Sequence, residues 1–186
     1  MKQAVSLRGF SPAKQIAFTA LFASLCCIGT VLIVVPLPAS GYFNAGDIFV
    51  LLSAWCLGPL FGSVASAVGS ALADIVSGFA IYAPATFLIK GLDALVAYTV
   101  YAFLKKRLRK ESLDFIPRAL SALLGESVML AGYLLYDAIL YGLAAAVGGL
   151  LGNGMQGLFC FVLATALVAA LYPIKAVRQL FPDLKK

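Results

Sequence analysis

The chain has 186 residues, of which 62% are apolar and 12% are charged, and its mean hydropathy is +1.00. Soluble domains are about 25% charged, so this composition excludes a large soluble catalytic domain. The net charge is +6, but thirteen of the fourteen Lys and Arg residues lie in short segments beside apolar runs, near the N-terminus, at 105–118 and after residue 174. This distribution is typical of membrane topology rather than of nucleic-acid binding.

Helix breakers divide the apolar sequence into predicted spans. The first apolar run is longer than the roughly 7–15 apolar residues of a signal peptide, so we interpret it as a span. Gly58-Pro59 and the Tyr82-Ala83-Pro84 turn then divide the long run that ends at Leu104. We expect the glycine-rich segment 142–153 to be a loop. The predicted spans are approximately 16–36, 45–57, 60–79, 84–104, 119–141 and 154–174.

The distribution of basic residues predicts how the spans are oriented. The predicted helix 45–57 is short, but the basic cluster at 105–110 lies on the same side as the basic N-terminus only if this helix crosses. We therefore expect an all-α integral membrane protein. It forms a single domain, 1–186, a bundle of six transmembrane helices with both termini in the cytoplasm.

Small residues spaced four apart predict close helix contacts, because helices in lipid associate through tight packing. The predicted helix 60–79 contains Gly62/Ser66 and Gly69/Ala73, and we expect it to lie at the centre of the bundle. The first span begins with an AxxxA pair, Ala13 and Ala17. Two interpretations remain open for this pair, a contact within the chain and a docking face for a partner membrane protein.

Five of the predicted helices carry polar side chains at a similar depth toward the outer side. A charge in the hydrocarbon region costs at least about 2.5–3.5 kcal/mol, so these residues need partners or a polar cavity. One interpretation is a structural network in which Lys90 and Asp93 pair along one helix. The other is a pocket for a small polar or heteroaromatic ligand, which the excess of acids over the single lysine favours. The candidate residues are Asn44, Asp47, Asp74, Tyr82, Lys90, Asp93, Tyr133, Asp137, Asn153 and Gln156.

Several kinds of chemistry have no support in the sequence. The chain contains no His, and its four cysteines lie inside apolar runs at spacings that fit no zinc motif. It also lacks a phosphate-binding loop. We therefore expect no ATP hydrolysis, metal, cofactor or catalytic residue. Tyr136-Asp137 and Ala45-Gly46-Asp47 only partly match the motifs of intramembrane aspartyl proteases and stand in the reverse order. An intramembrane enzyme is poorly supported, whereas a self-sufficient secondary carrier or a small channel remains an alternative.

The stretch 44–91 contains five notable segments: Asn44-Ala45-Gly46-Asp47, Gly58-Pro59, Gly69-Ser70-Ala71-Leu72-Ala73-Asp74, Ser77-Gly78 and Tyr82–Gly91. Together they resemble the substrate-binding (S) components of energy-coupling factor (ECF) vitamin transporters. The most similar subgroup contains the hydroxymethylpyrimidine, vitamin B6 and riboflavin components. The length, the six predicted spans and the AxxxA pair also fit these components.

This resemblance implies a function and a set of partners. An S component captures a vitamin from outside the cell at high affinity and docks on a transmembrane coupling protein bound to two ABC-type ATPases. ATP hydrolysis then topples the S component so that its pocket faces the cytoplasm. The resemblance places Ala13 and Ala17 on the docking face, the outer polar residues in the vitamin pocket, and the chain in a prokaryotic cell membrane.

The residues of the predicted pocket suggest an order of vitamins. Asp74, Asp93 and Asp137 outnumber Lys90, which favours a ligand with a protonated ring nitrogen or an amine. We therefore rank vitamin B6 or hydroxymethylpyrimidine first, then riboflavin, then pantothenate. The single tryptophan, Trp55, is expected near the inner end of its span, which disfavours a tryptophan-lined pocket of the thiamine-binding type.

Overall fold

A computed structural model describes residues 10–36, 42–108, 115–181 and 184 of the chain. Within these residues the fold is almost entirely helical. A two-stranded antiparallel ribbon, with Val35 opposite Phe43, interrupts the helices after the first one. The elements in chain order are α1 (Pro12–Leu32), β1 (Val35–Pro36), β2 (Tyr42–Phe43), α2 (Gly46–Leu57), α3 (Pro59–Val76), α4 (Ala83–Leu108), α5 (Phe115–Tyr141), α6 (Leu143–Leu171) and α7 (Lys175–Leu180).

In the described part of the chain, five helices are long and apolar enough to cross a membrane: α1, α3, α4, α5 and α6. Their outward surfaces carry large apolar side chains, including Leu32, Ile139 and Leu151, each at least 71% exposed. Such a surface is stable in lipid and unfavourable in water. The prediction of an all-α membrane protein is confirmed.

The shortest of the main helices, α2, forms the centre of the bundle. Its twelve residues span only about 18 Å at 1.5 Å per residue, and eleven of them are buried. By contrast, α3 buries eight of its eighteen residues, which lie on one face. The prediction that helix 60–79 lies at the centre is therefore wrong. Helix α2 buries residues on all of its sides, whereas the buried residues of α3 lie on one face.

The small residues of α3 nevertheless set how closely it packs. A Cβ atom at Gly69 would lie 2.2 Å from the Ala23 carbonyl oxygen of α1. A Cβ atom at Gly62 would lie 2.7 Å from the Ser53 carbonyl oxygen of α2. Glycine at both positions lets the three backbones approach one another, as the four-residue spacing predicts.

The last long helix begins earlier than the sequence indicates. Gly142 has a φ of 87°, a left-handed conformation that glycine adopts readily, and it alone separates α5 from α6. The predicted loop 142–153 is wrong, because α6 runs from Leu143 to Leu171. Glycine is common in transmembrane helices, so the glycines of this segment do not break it. Asn153 and Gln156 consequently lie inside the helix rather than at its start.

The two ends of the bundle differ in chemistry. At one end, called the basic end below, the Arg118 guanidinium lies 5.8 Å from the Trp55 ring centroid and 5.5 Å from that of Tyr101. The Trp55 indole N–H donates to the Ser121 hydroxyl at 3.1 Å. The opposite end, called the pocket end, contains the ribbon and the α3–α4 turn, together with most of the predicted polar residues.

Candidate binding site

A cavity opens at the pocket end between the ribbon and helices α3 to α6. Its volume is about 30 Å³, far below the roughly 300–1,000 Å³ of sites that hold drug-sized ligands. Seven of the ten predicted ligand-binding residues line it, and the structure adds Tyr42 and Thr86. The lining residues are Tyr42, Asn44, Asp74, Tyr82, Thr86, Tyr133, Asp137, Asn153 and Gln156.

Two carboxyl groups of the cavity wall each accept a hydrogen bond from a tyrosine. The Tyr42 hydroxyl donates to Asp74 Oδ1 at 2.5 Å, which joins the ribbon to the end of α3. The Tyr82 hydroxyl donates to Asp137 Oδ1 at 2.7 Å, which joins the α3–α4 turn to the end of α5. These two hydrogen bonds fix the positions of the Asp74 and Asp137 carboxyl groups in the cavity wall.

Both tyrosines are held in their neutral, donating form. Burial raises the pKa of the Tyr42 hydroxyl, and the neighbouring Asp74 carboxyl raises it further. Burial also raises the pKa of Tyr82, and its hydrogen bond to Asp137 adds to this effect. A tyrosinate beside a carboxylate would bring two negative charges together, which explains the direction of both shifts.

Aromatic rings form a continuous wall beside these carboxyl groups. The rings of Tyr42 and Phe79 are 4.5 Å apart between centroids, and Phe79 lies 6.5 Å from Tyr82. Tyr82 in turn lies 6.4 Å from Tyr133 and 5.6 Å from Tyr136. Such spacings are typical of offset and edge-to-face aromatic contacts. Tyr42, Tyr82 and Tyr133 of this wall line the cavity, and such rings can cover the face of a flat heterocycle.

Hydrogen bonds between Asn44 and Gln156 close the floor of the cavity. The Asn44 backbone N–H and side-chain amide donate to Gln156 Oε1 at 2.8 and 3.1 Å. Asn44 Oδ1 accepts the backbone N–H of Gly46 at 2.8 Å, so Asn44 also holds the start of α2. Gln156 Nε2 donates to Asp47 Oδ2 at 2.6 Å. Both amides are thus engaged in holding α2 against the middle of α6.

Beneath this floor lies an ion pair that does not line the cavity. Lys90 of α4 donates to Asp47 Oδ1 of α2, and the Lys90 ammonium lies 5.4 Å from the Tyr133 ring centroid. The interpretation that pairs Lys90 with Asp93 is wrong among the described residues. The sequence distance favours that pairing, but Lys90 turns toward α2 and Asp93 turns toward α5.

Two further carboxyl groups are buried at this depth. A Cβ atom at Gly125 would lie 2.5 Å from Asp93 Oδ1, and one at Gly157 would lie 3.1 Å from Glu126 Oε2. The glycines therefore make room for the two side chains. No oxygen of Asp93 or Glu126 has a hydrogen-bond partner in the part of the chain that the structure describes. Asp93, like Asp47 and Lys90, is a predicted ligand-binding residue that the structure places outside the cavity lining.

The two lining residues that sequence reasoning missed carry recognisable signals. Thr86 lies four residues before Lys90 on the same face of α4, and four residues after Tyr82, which stands just before that helix. Its hydroxyl and that of Tyr133 share a hydrogen bond at 2.9 Å. Tyr42 lies two residues before Asn44, in the chain segment that enters α2. Thr86 could have been found from helical periodicity, whereas the position of Tyr42 depends on the ribbon.

The AxxxA pair of α1 lies on the surface of the bundle. Ala13 and Ala17 are exposed, and so are Ala20 and Ser24 one and two turns further along. These four small residues form a stripe on one side of the helix, called the α1 stripe below. Within the described residues the stripe is not covered by the chain itself, which favours the docking interpretation over a contact within the chain.

These features define a class of protein: a membrane-embedded helical bundle with a polar, aromatic-walled cavity at one end. In the described residues, no group of three or more His, Cys, Asp or Glu side chains could hold a metal ion.

The ECF-type riboflavin transporter S component family matches residues 11–173, and the chain belongs to this family. It is therefore a vitamin-binding transporter subunit and not an enzyme. An uncharacterized protein of Pyrococcus woesei is 37% identical to the chain over 121 residues, which are 64% of this chain and 76% of the relative.

Proposed function

We propose that the chain captures a small heteroaromatic vitamin from outside a prokaryotic cell, at high affinity, in the cavity at the pocket end. The observation that carries this proposal is the cavity itself, because it combines an aromatic wall with fixed acids and amides. Such a combination orients a flat polar molecule. The pocket end faces outward, since the basic residues of the α4 end and the α5 start lie at the opposite end.

The topology we propose has six membrane segments and both termini in the cytoplasm. The buried helix α2 is the short segment, and it follows the ribbon into the bundle. Contacts support this arrangement: Asn44, before α2, meets α6 at the pocket side, and Trp55, near the end of α2, meets α5 at the basic end. The whole chain, 1–186, is then a single domain.

The acids that line the cavity favour a ligand with hydrogen-bond donors, and the small volume of the cavity favours a small ligand. Asp74 and Asp137 both line the cavity, and carboxylates accept hydrogen bonds from a protonated ring nitrogen, an imide N–H or a hydroxyl. Vitamin B6 and hydroxymethylpyrimidine fit this description and are small. Riboflavin also fits and is named in the description of the matched family. The cavity has room for only a few water molecules, so tyrosine side chains must rotate to admit any of these rings.

Delivery of the vitamin requires a partner, because we assign no energy-coupling chemistry to this chain. We propose that the α1 stripe docks on a transmembrane coupling protein that is bound to two ABC-type ATPases. Small exposed residues four apart allow another helix to approach closely, and the stripe has this pattern. Toppling of the docked chain would then turn the cavity toward the cytoplasm.

The first test is mass spectrometry of small molecules released from the detergent-purified chain. We expect pyridoxine, pyridoxal, hydroxymethylpyrimidine or riboflavin, and we expect the same compound to bind saturably to the emptied protein. Liposomes that contain only this chain should show no uptake. Uptake by the lone chain would instead support a self-sufficient carrier, and failure of all four compounds to bind would refute the proposed ligand class.

A further inference from the structure

The cavity wall carries two acids and, among the described lining residues, no Lys or Arg. The nearby lysine, Lys90, is paired with Asp47 beneath the floor, and it acts on Asp74 only through its charge. The amides of Asn44 and Gln156 are also engaged with each other and with the start of α2. The charged groups that line the cavity are therefore acceptors of hydrogen bonds.

Asp74 has acceptor capacity left. It is 3% exposed and uses Oδ1 to accept the Tyr42 hydroxyl, whereas its Oδ2 has no hydrogen-bond partner in the described part of the chain. The Thr86 hydroxyl also lies near this carboxyl group, and it shares a hydrogen bond with the Tyr133 hydroxyl in which either oxygen could be the donor. A buried carboxylate oxygen without a partner is costly, and a donor on a bound ligand would satisfy it.

We infer that Asp74 and Asp137 make the cavity selective for an unphosphorylated vitamin, whose donors they accept, and against the phosphate ester of the same vitamin. A phosphate monoester carries about −1.5 to −2 charges at neutral pH. In this cavity it would meet two carboxyl groups and, in the described lining, no basic partner. Like charges brought together in a desolvated site are strongly unfavourable. The same argument disfavours pantothenate, because its carboxylate would lack a cation among these residues.

This inference rests on the proposed function, and one experiment separates the two. Equilibrium binding to the full chain in detergent is measured for riboflavin against riboflavin 5′-phosphate, and for pyridoxine against pyridoxine 5′-phosphate. We expect the ester of whichever vitamin binds to be weaker by about 100-fold or more, since like-charge contacts of this kind cost several kcal/mol. Binding of vitamin and ester within tenfold overturns the inference and leaves the proposed function intact. Absence of binding by either vitamin overturns both.

Substitutions of Asp74 and Asp137 test whether these two acids cause the selectivity against the phosphate ester. Asp74→Asn and Asp137→Asn keep the size of each side chain and remove its charge, so each should reduce the discrimination at least about tenfold, as expected for loss of one charged contact. Glu126→Gln is the matched control, because it removes a buried carboxyl group that does not line the cavity. Thermal unfolding of the purified chain shows that each variant is folded, and the affinities for vitamin and ester are then compared within each variant. The two acids do not determine selectivity if neither substitution, alone or combined with the other, reduces the ratio between the affinities for the vitamin and for its phosphate ester.

Discussion

The buried ion pair between Lys90 and Asp47 gives the most demanding test of the structure. Their side chains are 3% and 1% exposed, so neither charge is screened by water. Replacing Lys90 by Met leaves the Asp47 carboxylate in the bundle with the Gln156 amide as its remaining side-chain hydrogen-bond donor among the described residues. Removing one partner of a buried pair costs about 3–5 kcal/mol, which corresponds to a fall in melting temperature of roughly 6–20 °C for a chain of this length.

A second substitution should reverse most of this loss. Asp47→Asn in the Lys90→Met background removes the unpaired charge and keeps an oxygen that can accept the N–H of Gln156. Neutral groups of similar size often replace a buried ion pair without loss of stability. We therefore expect the double variant to recover at least about 2 kcal/mol relative to Lys90→Met alone. Lys106→Met, which removes an exposed lysine, is the control and should leave the melting temperature unchanged.

Thermal unfolding of the purified variants, followed by Trp55 fluorescence, measures these effects. A double-mutant cycle then gives the interaction energy of the pair, because additive effects are expected only for residues that do not interact. The reasoning is refuted if the two substitutions add without coupling. It is also refuted if Lys90→Met is no less stable than Lys106→Met.

Three further predictions concern packing, docking and buried charge. Gly69→Val should destabilise the bundle by at least about 1–3 kcal/mol, because its Cβ would meet the α1 backbone at 2.2 Å. Gly154→Ala, where nothing lies within 4 Å, should leave thermal unfolding unchanged or improve it. Leu at both Ala13 and Ala17 should abolish vitamin uptake in cells while the purified chain still binds its vitamin, and surviving uptake would contradict the docking proposal. Glu126→Gln should raise or maintain the melting temperature, because the carboxyl group has no described partner; a clear fall would show that it has one.

The sequence by itself determined the membrane class and most of the cavity lining. Low charge and high hydropathy leave lipid as the only solvent that suits the surface, and this conclusion needs no coordinates. Polar side chains at a similar depth on separate helices are expected to contact one another, because isolated polar groups in lipid are costly. This physical constraint explains why Asp74, Tyr82 and Asp137 were identified from sequence and meet in one cavity.

The local sequence did not determine which polar residues pair with one another in the structure. Lys90 pairs with Asp47, 43 positions away, rather than with Asp93 one turn along its own helix. A pairing within a helix depends on local spacing, whereas a pairing between helices depends on how the helices rotate and pack. The same applies to Tyr42, which reaches Asp74 only because the ribbon positions it.

The tertiary structure also decided which helix occupies the centre. The sequence of α3 has the small residues that permit close packing, but its buried residues lie on one face. The short helix α2 is mostly apolar, and only the assembled bundle shows that its neighbours cover eleven of its twelve residues. Composition therefore determined that this chain resides in lipid. Packing determined that the cavity floor is built on a buried helix too short to cross the bilayer by length alone, because contacts between helices depend on all of them at once.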